Sequence, residues 1–254
     1  MASKMVWLAL APLLASWGCQ APSIPDPNDP TRPGPDQTRV LQDKLKIVSD
    51  AANRRVYNHE LTRFQAKVMV NRYEADLCRN IDLSKVSPSD AWVYGQLFLD
   101  AQDWENARKI LTVAVAHAKD EDRRVNDTLR LAHAYAQLGD VKKAIELSKT
   151  TFTTDPQDKA PILPGVLFDV VPSGIGKGSD AELADLLQGA IRQHEMVVVD
   201  PHIDSAKLFL AAKPGLISRA WHRVIDLYEA GGRLDLADKA LQAAQADVAT
   251  RKQV

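Results

Sequence analysis

The sequence predicts an all-α protein built of antiparallel helical hairpins, and three observations carry that prediction. Glycine is sparse (12 of 254 residues), while alanine, leucine, lysine, arginine, aspartate and glutamine are plentiful. Straight-chain residues lose little rotamer freedom in a helix, so this balance favours helix over strand. Apolar residues recur at steps of three and four over long stretches, the period of an amphipathic helix. Three separated stretches also align without gaps: AWVYGQLFLDAQDWENARKIL from Ala91, TLRLAHAYAQLGDVKKAIELS from Thr128, and WHRVIDLYEAGGRLDLADKAL from Trp221.

Composition also narrows the function. The formal net charge is −1, with acids and bases interspersed, whereas a nucleic-acid binder shows a basic surplus or stripe. Cys19 and Cys78 are the only cysteines, too few for a disulfide framework or a metal cluster. Cys78, near the end of a helical pattern, reads as a partly buried structural thiol.

Residues 1–18 read as a signal peptide. Lys4 precedes an apolar run from Met5 to Leu14, and a small residue follows at Gly18. The run is short for a permanent membrane span. Leu14-Ala15-Ser16-Trp17-Gly18-Cys19 resembles a bacterial lipoprotein signal, which implies acyl chains on Cys19 and anchoring in the cell envelope. Gln20 rather than aspartate follows the cysteine, which by the same resemblance favours the outer membrane. Ser16 and Trp17 depart from that pattern, and Ser16 with Gly18 also suits an ordinary signal peptidase, which would leave a secreted or periplasmic protein. Residues 19–37 hold the cysteine and a linker. Six of the fourteen prolines fall between Gln20 and Gln37, which excludes helix and sheet and favours an extended spacer of about 3 Å per residue.

Residues 38–88 form a long helical entry segment. No proline or glycine occurs from Asp36 to Asn80, and apolar residues recur at Leu41, Leu45, Val48, Ala52 and Val56, then Leu61, Phe64, Val68 and Leu77. The phase slips around Asn58, so the segment is one helix with a shift or two helices. Arg54, Arg55, Arg63, Lys67 and Arg72 line its other faces, readable as a solvated surface or as one facing anionic lipid.

Residues 89–254 carry the three aligned stretches. Each has a large apolar residue at the fourth place (Tyr94, Leu131, Val224) and an aromatic four later (Phe98, Tyr135, Tyr228). A turn follows at Gln102-Asp103, Gly139-Asp140 and Gly232-Arg233, then an alanine at Ala107, Ala144 and Ala237. Large residues would fill a hairpin core, and the alanine would let the second backbone approach the first.

This pattern resembles the tetratricopeptide repeat family, in which a tryptophan, a leucine-glycine pair and a tyrosine are followed by an alanine, an aromatic and a closing proline. Trp221, Val224, Tyr228 and Ala237 match it in the last copy; Leu131, Tyr135, Ala144 and Pro156 in the middle one; Tyr94, Gly95, Phe98 and Ala107 in the first. Ala91 and Thr128 depart from the tryptophan, and Ser148 from the second-helix aromatic. The resemblance implies a solenoid of stacked hairpins with an irregular insertion at about 157–215. Within that insertion the pattern predicts a helix from Ser179 to Val199 and a shorter one between Asp204 and Ala212.

In that family the first helix of each hairpin lines a groove. The matching residues are Trp92, Gln96 and Leu99, then Leu129, His133 and Ala136, then His222, Asp226 and Glu229. The implied function is a membrane-tethered scaffold binding a peptide or protein partner. The lysines and asparagines with which some members clamp a peptide carboxylate are absent from these places. The alternative is an envelope enzyme with a cleft at residues 160–215, although no nucleophile–base pair is recognisable. Pro172 to Ser179 holds glycines and Lys177 before a helix, but not in the phosphate-loop order, and reads as an inter-hairpin loop. His194-Glu195 begins like a zinc-protease motif, but Val198 stands where the second histidine belongs. His222, Asp226 and Glu229 share a helical face that would suit a divalent metal, but no further ligand is identifiable. No cofactor is expected.

Overall fold

The computed structural model describes residues 34–152, 162–200 and 202–251, and among these all regular structure is helical. Cys19, the signal segment, most of the proline-rich stretch and Pro156 lie outside the described residues. Helix α1 (Gly34–Tyr57) begins inside the stretch expected as linker. Pro35 is compatible with that start, because the first turn of a helix has no intrahelical partner for its N–H groups.

The phase slip at Asn58 is a helix break. The chain turns at His59 (φ 60°), and α2 (Arg63–Cys78) opens on a reciprocal cap. Gln65 N–H donates to Thr62 Oγ1 at 3.2 Å, and Thr62 N–H donates to Gln65 Oε1 at 2.8 Å, which satisfies two otherwise unpaired donors. Leu41 of α1 and Leu77 and Cys78 of α2 enter a core with α3 (Ala91–Asp100) and α4 (Trp104–Ala116). Thr38 Oγ1 donates to Asp90 at 3.0 Å, tying the start of α1 to the start of α3.

The three aligned stretches fold as three helical hairpins: α3 with α4, α5 (Glu121–Gln137) with α6 (Val141–Thr150), and α10 (Asp204–Ala230) with α11 (Leu234–Arg251). Their turns are the same. Gln102, Gly139 and Gly232 have φ of 61°, 90° and 69°. In each turn the next residue donates its N–H back to the aromatic's carbonyl: Asp103 to Phe98, Asp140 to Tyr135, and Arg233 to Tyr228, at 2.9, 3.0 and 2.8 Å. The positive-φ residues donate to the carbonyls of Leu99, Ala136 and Glu229. This is the Schellman ending, which pairs carbonyls that would otherwise be left over. Asp103 and Asp140 then cap the following helices, accepting from Asn106 and Lys143 N–H. The aligned alanine, Ala107, Ala144 or Ala237, donates to the carbonyl four residues back, at Asp103, Asp140 or Arg233, and all three alanines are buried.

The stretch from Ile162 to Gly174 is a buried helical wedge. Helix α7 (Ile162–Gly165) passes into a π-helical turn (Val166–Val170) and then α8 (Val171–Gly174). The wedge packs on α5 and on α9 (Asp180–Met196), whose Ser179 cap accepts from Glu182 N–H as the sequence predicts. Only Ile175 to Ser179 remains of the glycine-rich loop. Lys177 Nζ donates to the carbonyls of Ala136 and Gln137 at the end of α5. A Cβ at Gly174 would meet Leu183 at 3.0 Å and one at Gly178 would meet Val141 at 2.7 Å, so these glycines serve close packing.

The short helix expected between Asp204 and Ala212 does not end there. It runs on as α10 for 27 residues, through Pro214 to Ala230. The proline costs one backbone bond, but Lys213 beside it donates Nζ to the carbonyls of Glu195 and Val197, closing the end of α9.

Three substitutions test this register. Ala144→Leu should overpack the second hairpin and cost about 1–3 kcal/mol, lowering the melting temperature, whereas substitution of exposed Lys142 should change it little. Gly139→Val should cost about 1–2 kcal/mol through the positive φ alone, since open space surrounds its Cβ position. Gln102→Gly should stabilise by up to about 1 kcal/mol. Equal melting temperatures for Gly139→Val and the parent would refute the shared turn.

Candidate functional site

A cleft of about 430 Å³ opens where the first helices of two hairpins meet the buried wedge. Helix α3 supplies Gln96, Leu99 and Asp100; α5 supplies Asn126, Leu129, Arg130 and His133; the wedge supplies Pro164, Gly165 and Asp169. Gly165 lets the wedge reach α5, since a Cβ there would lie 3.1 Å from Leu129 Cδ1. Leu99 and Leu129 are buried and give an apolar wall, while amide, guanidinium, imidazole and carboxyl groups edge the rest.

The polar groups are held from behind. Gln96 Nε2 donates to Asp100 Oδ2 at 2.8 Å. Arg130 donates to the buried Asp127 at 3.1 Å. The His133 ring lies 5.3 Å from that of Trp104, and its Nε2 is 3.4 Å from Gln137 Nε2. Gln137 also donates to Ser173 Oγ, which donates to the Asp169 carbonyl within the π-helical turn.

Burial dominates the electrostatics. It pushes the His133 imidazole toward the neutral form, against the opposing pull of the Asp169 and Asp100 charges. It raises the Asp169 carboxyl, which His133 and Arg130 in turn pull down. Asp100 is also raised, by desolvation at the cleft wall despite its bond from Gln96. The cleft therefore offers donors and acceptors beside an apolar wall. Among the described residues no hydroxyl or thiol is hydrogen-bonded to His133. Cys78, behind α3, is buried with its thiol pushed up to about 12 by desolvation and then by Asp103, Glu74 and Asp100.

Four of the nine groove residues read from the sequence meet here: Gln96, Leu99, Leu129 and His133. The others do not join them. Ala136 is fully buried in the core. Trp92 lines a separate cavity of about 200 Å³, with the Arg123 guanidinium 3.7 Å from its ring centre. His222 lines a third cavity, between α10 and α11. Asp226 and Glu229 are on α10 and line none of these cavities. Among the described residues no group of three His, Cys, Asp or Glu side chains is placed to hold a metal.

Sequence reasoning missed Asp100, Asn126, Arg130 and Asp169. Asp100 directly follows Leu99, so the register placed it one step off the groove. Helix α5 begins at Glu121, two turns before the aligned stretch, which hid Asn126. Asp169 lies in the π-helical turn, where no register applies. Of residues 160–215, the segment considered for an enzymatic cleft, Pro164, Gly165 and Asp169 reach this one.

Two buried titratable groups outside the cleft give opposed pH dependences. Desolvation, then Asp100, raises the Glu74 carboxyl from 4.5 to about 7. Its contribution to stability is complete below about 4.5 and is lost as pH climbs to about 7. His194 is buried, its two ring nitrogens have no hydrogen-bond partner among the described residues, and its ring lies 5.0 Å from that of Phe209. Desolvation, then Lys213, lowers it from 6.5 to about 4. Its contribution is complete above about 6.5 and is lost as pH falls to about 4. Melting curves between about pH 4.5 and 6.5 should therefore slope more upward with pH for Glu74→Gln than for the parent, and more downward for His194→Leu. Parallel curves for all three proteins would refute the assignment.

No family model, curated protein or solved structure matches the chain.

Proposed function

We propose that this protein is a membrane-tethered scaffold of the bacterial cell envelope, and that its tetratricopeptide-like stack of hairpins holds a peptide or protein partner. The observation that carries the reading is the convergence of Gln96, Leu99, Leu129 and His133, from the first helices of two adjacent hairpins, on one cleft. A repeat origin is supported by the three turns, which share the Schellman bonds, the positive φ and the buried alanine at aligned places. A solenoid is supported by the packing order, in which α3, α4, α5 and α6 each lie against the next in sequence, as do α9, α10 and α11. The tether rests on the sequence around Cys19 and the prolines after it.

The test pairs location with capture. Wild type should fractionate with membranes, and Cys19→Ser should release it or leave it uncleaved; a wild type already soluble removes the tether. In pull-downs from detergent-solubilised envelope, a bound partner should fall about tenfold or more with Gln96→Ala/His133→Ala, the loss of two well-placed contacts. It should persist with His222→Ala/Asp226→Asn/Glu229→Gln. The reverse result would move the site to the last hairpin.

A further inference from the structure

The turn between α1 and α2 carries features that the cleft does not use. From Ala51 to Arg72 the sequence holds Arg54, Arg55, Arg63, Lys67 and Arg72 against one carboxylate, Glu60, in a chain of net charge −1. Glu60 is engaged with Arg55 at 3.2 Å. Arg54, Arg63 and Arg72 are exposed and make no ion pair among the described residues. Two aromatic rings flank the turn in open solvent, Tyr57 at 85 % exposure and Phe64 at 75 %. Among the described residues from Lys46 to Arg72 only Ala52 and Ala66 are buried, and neither Tyr57 nor Phe64 joins a hydrophobic cluster, so packing explains neither ring.

We propose that this turn docks on an anionic membrane surface, with the arginines against lipid headgroups and Tyr57 and Phe64 in the interfacial layer. Cations near an anionic leaflet are attracted individually and additively. Aromatic rings are favoured at headgroup depth, where one part is wet and another apolar. The combination separates a membrane from a purely electrostatic polyanion such as heparin, which gives Phe64 no burial. Tyr57, Phe64, Arg54 and Arg63 share the turn end of the hairpin, Arg72 lies further along α2, and the other end, at Leu41 and Leu77, is fixed in the core. Helix α1 has 24 residues and so spans roughly 36 Å at about 1.5 Å per residue. An extended linker of residues 20–33 would span roughly 40 Å. A chain held at Cys19 can therefore lay this turn on the membrane that anchors it, where tethering raises the effective concentration of a weak patch. The docking itself needs no acyl chain.

The full chain carrying Cys19→Ser, which removes any acyl contribution, is sedimented with vesicles of phosphatidylcholine alone or with about 30 % phosphatidylglycerol. It should bind the anionic vesicles about tenfold more tightly, and the preference should vanish in high salt. Arg54→Glu/Arg63→Glu/Arg72→Glu should abolish the preference with an unchanged melting temperature. Tyr57→Ser/Phe64→Ser should weaken anionic-vesicle binding severalfold while keeping its salt dependence. Equal binding to both vesicle types, or a charge variant that binds as the parent does, overturns the proposal. So does an unchanged affinity of the ring variant together with tight binding of the parent to RNA or heparin, which would make the patch a polyanion site. Loss of membrane fractionation in Cys19→Ser cells bears on the tether alone, because the vesicle experiment already lacks it.

Discussion

The fold depends on reversing the chain within three residues at the end of a helix while pairing the carbonyls exposed there. One residue at positive φ achieves this at Gln102, Gly139 and Gly232. Because the reversal is so short, the second helix must lie tightly against the first, and that closeness dictates the residues on both sides of the turn. Only a small side chain fits at Ala107, Ala144 and Ala237, and a large one must fill the space at Phe98 and Tyr228. Gly95 carries the same constraint further, since a Cβ there would collide with the Leu111 side chain. At Gln102 the conformation is held against an ordinary side chain's preference, so the remaining bonds of that turn must exceed the local strain.

The same economy of space recurs between hairpins. Gly189 on α9 lies where a Cβ would come 2.5 Å from the Phe152 ring after α6, and α9 packs on both α6 and α10. Tyr228 Oη donates to Asp185 at 2.5 Å, linking α10 to α9 with a polar bond beside the apolar contact. Carbonyls at the last turn of a helix have no partner within it, and the Lys177 and Lys213 ammonium groups supply one. Each takes up two carbonyls, Lys177 at the end of α5 and Lys213 at the end of α9.

The helical class, the phase slip near Asn58, the Ser179 cap and the hairpin turns were legible because each rests on local pattern: period, capping residue, or a turn residue after a helix. The continuation of α10 through Pro214 was not, since proline is ordinarily a stop and the compensating contact from Lys213 is long-range. The cleft was half legible. Gln96, Leu99, Leu129 and His133 follow from hairpin register, whereas Asp169 depends on a buried wedge whose run, ILPGVLFDVVPSG, has no period to read. Trp92 shows the limit of register from the other side. It holds the expected place on its helix, yet Arg123 from the next hairpin covers it.

Contacts between successive helices have a kinetic meaning. Helices α1 with α2, α3 with α4, α4 with α5, and α5 with α6 pair with their chain neighbours, so each pairing closes a short loop at little entropic cost. A chain delivered from its amino end can complete these hairpins one after another, without waiting for residues still to come. The wedge from Ile162 to Gly174 is where that sequence stalls. It packs on α5 behind it and on α9 ahead of it, so its apolar face stays open until α9 arrives. In a molecule otherwise assembled from local steps, that interval is when the chain is most exposed to aggregation.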